Sequence, residues 1–242
     1  GASGFIGRHV IGALSRERWQ IHGLARRGND TGAHGVIWHQ ADLLKPGTAS
    51  RLIEEVQPSA LMHFAWNATP GKFWNATDNL DWVAASLELY RAFAAYGGKR
   101  AVFAGTCAEY DWSYDYLDEA VTPLKPDTFY GTCKAALFQM LSEACPLDGI
   151  ELAWARVFFL YGPFEAKTRL VPDVIRALIS ERPAACGSGL AERDFMHVED
   201  VATAMVAILD SDYCGPVNVA SGSCVPLRDV ILEIGNQLQR TE

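Results

Sequence analysis

Tyr130 and Lys134 are four residues apart in segment 129–137, FYGTCKAAL, and on a helix this spacing places both side chains on one face. A free tyrosine has a pKa of about 10 and is a poor acid or base at neutral pH. A fixed ammonium group beside the phenol would lower that pKa toward the range useful for proton transfer. The pair therefore predicts an acid/base tyrosine. Exposed Tyr/Lys pairs at this spacing are also common, so the surrounding motifs must decide.

A glycine-rich segment opens the chain: residues 1–7 read GASGFIG, with glycines spaced G-x-x-G-x-x-G before a helical run at 8–14. Small residues let backbone amides approach a diphosphate, and the helix N-terminus adds the positive end of its dipole. Such a turn normally follows a strand. Because Gly1 is the first residue, we expect the opening strand to be missing from this chain. Segment 20–25, QIHGLA, is predicted as the second strand.

The end of that second strand is the point where a dinucleotide-binding fold distinguishes NAD from NADP. An acid there hydrogen bonds the ribose hydroxyls of NAD, whereas an arginine accommodates the additional phosphate of NADP. Arg26 and Arg27 directly follow Ala25, and the nearest acid, Asp30, comes several residues later. Arg26 therefore favours NADP as the cofactor, with NAD as the alternative.

Predicted strands alternate with predicted helices along the chain. Apolar runs predict strands at 36–39, 60–65, 100–104 and 152–158, and periodic apolar positions predict helices at 49–56, 79–96 and around Tyr130. This alternation predicts an α/β fold with a doubly wound parallel sheet, whose ligands lie at the carboxyl ends of the strands. We expect a dinucleotide-binding domain at 1–160. A shorter, mainly substrate-binding domain is expected at 161–242, with part of 196–220 packing back on the first.

Thr106 and two aromatic segments follow strands at the edge where such a fold binds its ligand. Thr106 stands just past the strand at 100–104 and could donate a hydrogen bond into the site. The aromatic rings could stack on a base or sugar, or pack as a lid without touching a ligand, and the sequence leaves both interpretations open. They are Trp66, Phe73 and Trp74 after one strand, and Tyr110, Trp112, Tyr114 and Tyr116 after the next.

The composition narrows the class of partner. The 242 residues carry a net charge of -8, which disfavours binding to nucleic acid or an anionic membrane surface. The sequence contains neither an apolar run of about 20 residues nor a signal peptide. The six cysteines form no C-x-x-C pair and the six histidines are scattered, so we expect no metal site. These features predict a cytoplasmic protein that acts on a small molecule.

Several motifs together resemble the extended short-chain dehydrogenase/reductases, and more narrowly their NAD(P)-dependent sugar-nucleotide epimerase/dehydratase branch. The resemblance runs the whole length of the chain, with the motifs in order and at familiar spacing. They are the glycine turn at 1–7, Thr106 four residues before Tyr110, the Tyr130/Lys134 pair, Arg156 with Tyr161-Gly162-Pro163, and RDFMHVEDVA at 193–202. Segment 215–222, GPVNVASG, also looks like a strand of the family's substrate domain.

The resemblance implies catalytic and substrate-binding roles. Tyr130 would move a proton to or from a sugar hydroxyl, and Lys134 would lower its pKa and bind the nicotinamide ribose. Thr106 would polarise the same substrate oxygen. Arg193 would contact the diphosphate of a nucleotide-sugar, where a guanidinium fits well. Trp66 would also line the substrate site.

The resemblance also implies a set of cofactor contacts. The cofactor diphosphate would be held by Gly1, Ser3, Gly4, Phe5, Ile6 and Gly7. Asp42 and Leu43 would lie at its adenine side, Ala65 would form the pyrophosphate wall, and Arg26, Tyr130 and Lys134 would complete the site.

The sequence departs from the family pattern at three places. Dehydratases of this branch follow the threonine with an Asp-Glu pair, whereas Cys107 and Ala108 follow Thr106 here, which argues against dehydration. Phe159 stands where the family commonly has an asparagine that touches the substrate phosphate. The asparagine that begins the helix before the Thr106 strand also has no clean match, because neither Asn75 nor Asn79 falls at the usual offset.

These features favour a reductase of a 4-keto nucleotide-sugar, with Tyr130 as proton donor. The alternatives are an epimerase that retains NAD, a reductase of a non-sugar carbonyl compound, and a cofactor-binding regulator without turnover. The helices that begin near Asn79 and Phe129 resemble those that pair between subunits in this family, so a homodimer is expected.

Overall fold

The computed structural model describes residues 1–27, 34–184 and 187–240. Asp30 and Cys186 lie outside the described residues. Over the rest of the chain, strands and helices alternate as the sequence predicts, and the α/β fold with a parallel sheet is confirmed.

The strands are β1 (Ile21–Ala25), β2 (Val36–Gln40), β3 (Ala60–His63), β4 (Arg100–Thr106), β5 (Glu151–Val157), β6 (Phe159–Tyr161), β7 (Glu192–His197), β8 (Gly215–Val219) and β9 (Cys224–Pro226). The helices are α1 (Phe5–Ala13), α2 (Thr48–Val56), α3 (Asn79–Ala95), α4 (Phe129–Leu147), α5 (Leu170–Ile179), α6 (Val198–Asp210) and α7 (Leu227–Gln237). Short 3-10 turns at Phe73–Asn75 and Cys107–Glu109 follow β3 and β4.

The main sheet has the strand order β3-β4-β5-β8, and every pair in it is parallel. Strands β1 and β2 form a separate parallel pair. A cavity of about 190 Å³, lined by apolar side chains of β1 and β3 such as Leu24 and Met62, lies between the two sheets. Strands β4 and β5 are almost completely buried, which explains their near-continuous apolar sequences.

Helices cover both faces of the main sheet. On one face, Val10 of α1 and Met205 of α6 join a buried cluster with Val102 of β4. On the other face, Phe93 of α3 and Leu137 of α4 pack on aromatic side chains of β4 and β5. Burial of each such side chain contributes about 1.5–3 kcal/mol, so these two layers hold the strand ends of the sheet in place.

A smaller sheet has the order β6-β7-β9, with β6 and β7 parallel and β9 antiparallel to β7. Segment 215–219, which the resemblance likens to a strand of the substrate domain, is instead β8 and pairs with β5 in the main sheet. The reason lies in α6, which packs against α1 and returns the chain to the main sheet. The motif at 193–202 therefore connects the two sheets: it begins in β7 of the small sheet and ends in α6, which packs on the main sheet.

Candidate active site

The glycine turn packs tightly around the start of α1. A side chain on Gly7 would place its Cβ 2.2 Å from the carbonyl oxygen of Gly1, and one on Gly1 would place its Cβ 2.6 Å from the Ala65 nitrogen. Only glycine fits at these two positions. Helix α1 has no acidic residue in its first turn and no side-chain cap, so the free N–H groups of that turn can donate hydrogen bonds to a bound anion. The cradle fits the diphosphate of a dinucleotide.

The other predicted cofactor residues lie around this cradle. Ser3 accepts a hydrogen bond from Arg8 through its carbonyl oxygen at 3.0 Å. Arg26 is exposed just past β1, and Asp42 accepts a hydrogen bond from the Leu44 amide at 3.2 Å. The side chain of Leu43 belongs to the core. Phe5 and Ile6 form the first turn of α1.

Aromatic rings enclose Tyr130 at the start of α4. Its ring makes edge contacts with Phe73, Trp74 and Trp66, at centroid distances of 4.9, 5.9 and 6.2 Å. Burial is the main effect on Tyr130 and raises the pKa of its phenol above the ordinary value, while the neighbouring Thr106 hydroxyl opposes the rise. The structure thus brings Thr106 and Tyr130 together at the carboxyl edge of β4, as the sequence predicts.

Lys134 is buried and points toward β4 rather than toward the Tyr130 phenol. Its Nζ donates a hydrogen bond to the carbonyl oxygen of Ala104 at 2.7 Å and lies 4.1 Å from the centroid of the Trp66 ring. Burial lowers the pKa of Lys134 to about 8. Burial thus outweighs the lowering of the Tyr130 pKa that the sequence predicts from Lys134, and the ammonium donates its hydrogen bond to Ala104, so the predicted effect of Lys134 on the phenol stays a prediction.

Asn79 anchors the tryptophan that covers Lys134. Its Oδ1 accepts a hydrogen bond from the Trp66 indole at 2.7 Å, and its Nδ2 donates to the carbonyl oxygens of Phe73 and Ala76, both at 2.8 Å. Asn79 is fully buried. Sequence reasoning assigned Asn79 no role, because it does not lie at the family's usual spacing before the Thr106 strand. The available signal was its position in the first turn of a helix, next to an aromatic segment.

A buried ion pair supports Thr106 from below. Thr106 is the last residue of β4 rather than past it, and its Oγ1 accepts a hydrogen bond from the Ala108 amide at 3.2 Å. Glu109 accepts from the Thr106 amide at 2.8 Å and pairs with Arg156 at 2.8 Å. Sequence reasoning missed Glu109, although an acid in the apolar run after β4 was a signal for a buried partner.

Tyr110 continues this network into the main sheet. Its hydroxyl accepts a hydrogen bond from Arg156 at 3.1 Å and donates to Oδ1 of Asn218 at 2.7 Å. The backbone N–H of Asn218 in turn donates a hydrogen bond to the Glu119 carboxylate at 2.6 Å, which connects the loop after β4 to β8. Tyr110 is therefore a core residue, whereas Tyr114 and Tyr116 of the same segment are exposed. The aromatic segment thus divides between packing and surface.

Arg193 lies beside two rings at the start of β7. Its guanidinium carbon is 5.2 Å from the Trp112 ring centroid and 5.3 Å from that of Phe159. Trp112 donates its indole N–H to the carbonyl oxygen of Cys107 at 3.1 Å. The predicted substrate residues Arg193 and Phe159 thus meet near the Thr106 turn, while Trp66 lies against Tyr130.

Arg169 and Phe164 were not singled out from the sequence. The Arg169 charge opposes the burial-driven rise in the pKa of Tyr130, and its guanidinium carbon lies 5.4 Å from the Phe73 centroid. Phe164, in the loop between β6 and α5, stacks on Arg8 of α1 at 4.2 Å. The charge at the start of α5, after Tyr161-Gly162-Pro163, was the available signal.

The described part of the chain offers neither a metal centre nor a membrane span. Within residues 1–27, 34–184 and 187–240, no group of three or more His, Cys, Asp or Glu side chains could hold a metal ion. No helix in those ranges has the length and apolar character needed to cross a membrane.

Comparison with known proteins identifies several related sequences and folds. Residues 1–220 match the model of the NAD dependent epimerase/dehydratase family. UDP-glucose 4-epimerase of Corynebacterium glutamicum is 25% identical over 83% of this chain and 68% of its own length. The dTDP-6-deoxy-L-talose 4-dehydrogenase (NAD(+)) of Aggregatibacter actinomycetemcomitans is 24% identical over 96% of this chain and 87% of its own length.

A solved structure shares the fold. The UDP-glucose 4-epimerase of Thermus thermophilus, in complex with NAD, superposes with a TM-score of 0.88 at 24% identity, over 99% of this chain and 82% of that one. The chain spans between 55% and 87% of the length of the curated relatives it matches.

Proposed function

The chain belongs to the NAD dependent epimerase/dehydratase family, and from this premise we propose that it reduces the 4-keto group of a nucleotide-activated sugar, with Tyr130 as the proton donor. The observation that carries the proposal is the placement of Thr106 beside Tyr130 at the carboxyl end of β4. A parallel sheet binds its ligands at this edge.

The protonation state of Tyr130 suits reduction. Burial raises the pKa of its phenol, so the proton is held at neutral pH and can pass to a carbonyl oxygen that becomes an alkoxide. The Thr106 hydroxyl next to it can hydrogen bond the same oxygen. A nicotinamide cofactor supplies the hydride when bound, and the glycine cradle and Arg26 would hold it.

One observation argues against dehydration. Cys107, where a dehydratase would have an acid, is buried, and burial raises the pKa of its thiol to about 12, so it cannot exchange protons at neutral pH. A relative named as a talose 4-dehydrogenase is 24% identical to this chain. The epimerase remains the second candidate, since two relatives with that name are 25% and 27% identical.

NADP is the proposed cofactor and NAD the alternative. The exposed Arg26 at the end of β1 supports NADP, because a guanidinium suits a phosphate. The names of the talose 4-dehydrogenase and of the T. thermophilus complex instead mention NAD.

Cofactor release and binding test this proposal. The purified protein is denatured and the supernatant is assayed for NAD; a reductase is expected to release little, whereas about one NAD per chain would favour the epimerase. Binding of NADPH and NADH is then compared for wild type, Arg26→Ala and the matched control Arg27→Ala. Equal affinity of the wild type for both cofactors, or equal effects of the two substitutions, would contradict the role of Arg26.

Turnover is tested with nucleotide-activated 4-keto sugars that differ in the base, by following NADPH oxidation. Oxidation with at least one of them is the expected result. Interconversion of UDP-glucose and UDP-galactose without net cofactor oxidation would replace reduction with epimerisation.

A cytoplasmic homodimer is also part of the proposal. Leu80 of α3 and Met140 and Leu147 of α4 expose 59%, 42% and 86% of their surface, which supports a subunit contact through these helices. Light scattering coupled to gel filtration measures the mass, and a monomer would contradict the dimer.

A further inference from the structure

We propose that Trp112 and Phe159 are positioning residues that hold the Arg193 guanidinium in the site, so that it binds the diphosphate of the substrate without help from the usual asparagine. The identity of the anion rests on the proposed function. The positioning itself rests on the contacts of three side chains from three separate segments of the chain.

The guanidinium and the two rings form a compact cluster. The guanidinium carbon lies 5.2 Å from the Trp112 centroid and 5.3 Å from the Phe159 centroid, within the range of cation–π attraction. The two rings contact each other edge to face at 6.2 Å. Phe159 also packs on Phe195, its partner in the β6–β7 register, at 5.8 Å. Phe159 is therefore held by the small sheet, and Trp112 contacts it from the loop after β4.

Trp112 connects this cluster to the reacting edge. Its indole N–H donates to the carbonyl oxygen of Cys107, the residue after Thr106, at 3.1 Å. The Arg193 charge acts on the Cys107 thiol and opposes the burial-driven rise in its pKa, which agrees with a short separation. An anion bound by Arg193 would thus lie at a defined place relative to Thr106 and Tyr130.

The hydrogen bonds of Arg193 leave part of its edge available. Nη1 donates to the carbonyl oxygen of Glu192 at 2.6 Å. The other N–H groups make no hydrogen bond within the described residues, and two aromatic rings lie within 5.3 Å of the guanidinium carbon. Because a guanidinium binds phosphate oxygens through two parallel edge N–H groups, the orientation set by the rings decides where the diphosphate lies.

Phe159 is the element that distinguishes this arrangement. An asparagine at that position could donate a hydrogen bond to phosphate, whereas a phenyl ring cannot. The ring instead contacts Arg193, so the diphosphate would be bound by the arginine alone rather than by an arginine and an asparagine together. A consequence is that Phe159→Asn, which supplies a donor, is expected to weaken binding rather than strengthen it.

The test measures binding of UDP, CDP, dTDP and inorganic pyrophosphate by calorimetry. Phe159→Leu and Trp112→Leu are expected to weaken nucleoside diphosphate binding about threefold to tenfold, because each removes a ring from the cation. Arg193→Lys keeps the charge but not the planar fork and is expected to weaken it about tenfold. Trp112→Phe keeps a ring and should lose less affinity than Trp112→Leu does. Tyr116→Leu, which removes an exposed ring of the same loop, is the control and should leave the affinity unchanged.

A double-mutant cycle separates positioning from general damage to the fold. A ring that acts through the guanidinium should matter less once the guanidinium is gone, so Phe159→Leu should have little effect in the Arg193→Lys background. In turnover, the ring variants are expected to raise KM and leave kcat within about twofold, since the interaction contributes equally to substrate and transition-state binding. Equal effects of Phe159→Leu in both backgrounds would overturn the inference.

The outcomes distinguish this inference from the proposed function. If nucleoside diphosphates bind but the ring variants bind them as well as wild type does, the function stands and the positioning is wrong. If nucleoside diphosphates bind no better than pyrophosphate, yet binding depends on Arg193 and both rings, the positioning stands and the substrate class is wrong. If none of the four anions binds, both are wrong.

Discussion

The Lys134 ammonium lies 4.1 Å from the centroid of the Trp66 indole and donates a hydrogen bond to the carbonyl oxygen of Ala104 at 2.7 Å. Tyr130 contacts the same indole, at a centroid distance of 6.2 Å. Helical spacing thus brings both residues of the pair to Trp66, and the tryptophan, held by Asn79, sets the environment of each. The ammonium is consequently a buried charge with a lowered pKa of about 8.

Replacing Lys134 with methionine is expected to raise the stability of the protein at pH 7. Burial holds the pKa of Lys134 below its unfolded value, so the folded protein carries a penalty for the charge below about pH 8. That penalty is relieved as the pH rises from about 8 toward 10.5, where the unfolded lysine also loses its proton. We expect Lys134→Met to raise the unfolding free energy by about 1–2 kcal/mol at pH 7, and by less at pH 10.

Denaturant unfolding at the two pH values measures this effect, with Lys99→Met at an exposed lysine as the control. A loss of more than about 1 kcal/mol at pH 7 would show that the contacts with Ala104 and Trp66 outweigh the cost of burial.

Tyr130→Phe is expected to retain cofactor binding and lose turnover. The phenol hydroxyl is the only group lost, while the ring still fills the space between Phe73 and Trp66. Loss of a general acid typically lowers kcat about 10²- to 10⁴-fold. Kinetics with the best substrate, together with cofactor binding, provide the measurement, and Tyr114→Phe at an exposed tyrosine is the control. Turnover close to that of wild type would refute the role of Tyr130.

Glu109→Gln is expected to destabilise the fold by about 3–5 kcal/mol, because it leaves the Arg156 charge buried without its partner. Both side chains are at most 1% exposed and lie 2.8 Å apart. The pair of Lys125 and Asp111, whose side chains are 74% and 15% exposed, offers a contrast, and Asp111→Asn should cost less than about 1 kcal/mol because the lysine charge stays in water. Adding Arg156→Met to Glu109→Gln should recover part of the loss. Equal costs for Glu109→Gln and Asp111→Asn would contradict the assignment.

Glu165→Gln is expected to stabilise the protein at pH 8 but not at pH 4. Burial raises the pKa of Glu165 to about 7, and its Oε2 is buried without a hydrogen-bond partner in the described structure. A carboxyl with a raised folded pKa binds more protons folded than unfolded, so stability falls as the pH rises through the interval from 4.5 to about 7.

The amide removes that penalty, and a gain of about 1 kcal/mol is expected above pH 7 after allowance for partial exposure. Thermal unfolding of both proteins at pH 4 and pH 8 measures the difference. A gain of equal size at both pH values would point to a change in packing rather than in charge.

Local patterns were sufficient for most of the fold. The alternation of apolar runs predicted β1 to β5 and α1 to α4 to within a few residues, because period and composition act over short windows. The strands β6 and β9 are three residues each and carry too little pattern to detect. Segment 215–219 resembled a substrate-domain strand, although it also falls within 196–220, part of which was expected to pack back on the first domain. Its pairing with β5 depends on how α6 packs on α1, which no local window contains.

The sequence alone was sufficient to bring Thr106, Tyr130 and the glycine turn to one edge of the sheet. Three features carried this prediction: the glycine spacing, a hydroxyl at a strand end and the Tyr130/Lys134 pair. Each depends on backbone periodicity, which can be read directly from the sequence. Only the tertiary structure decided their electrostatics. The pKa of a group depends on burial and on neighbours from distant segments, so the covering of Lys134 by Trp66, the rise in the pKa of Tyr130 and the ring contacts of Arg193 follow from packing.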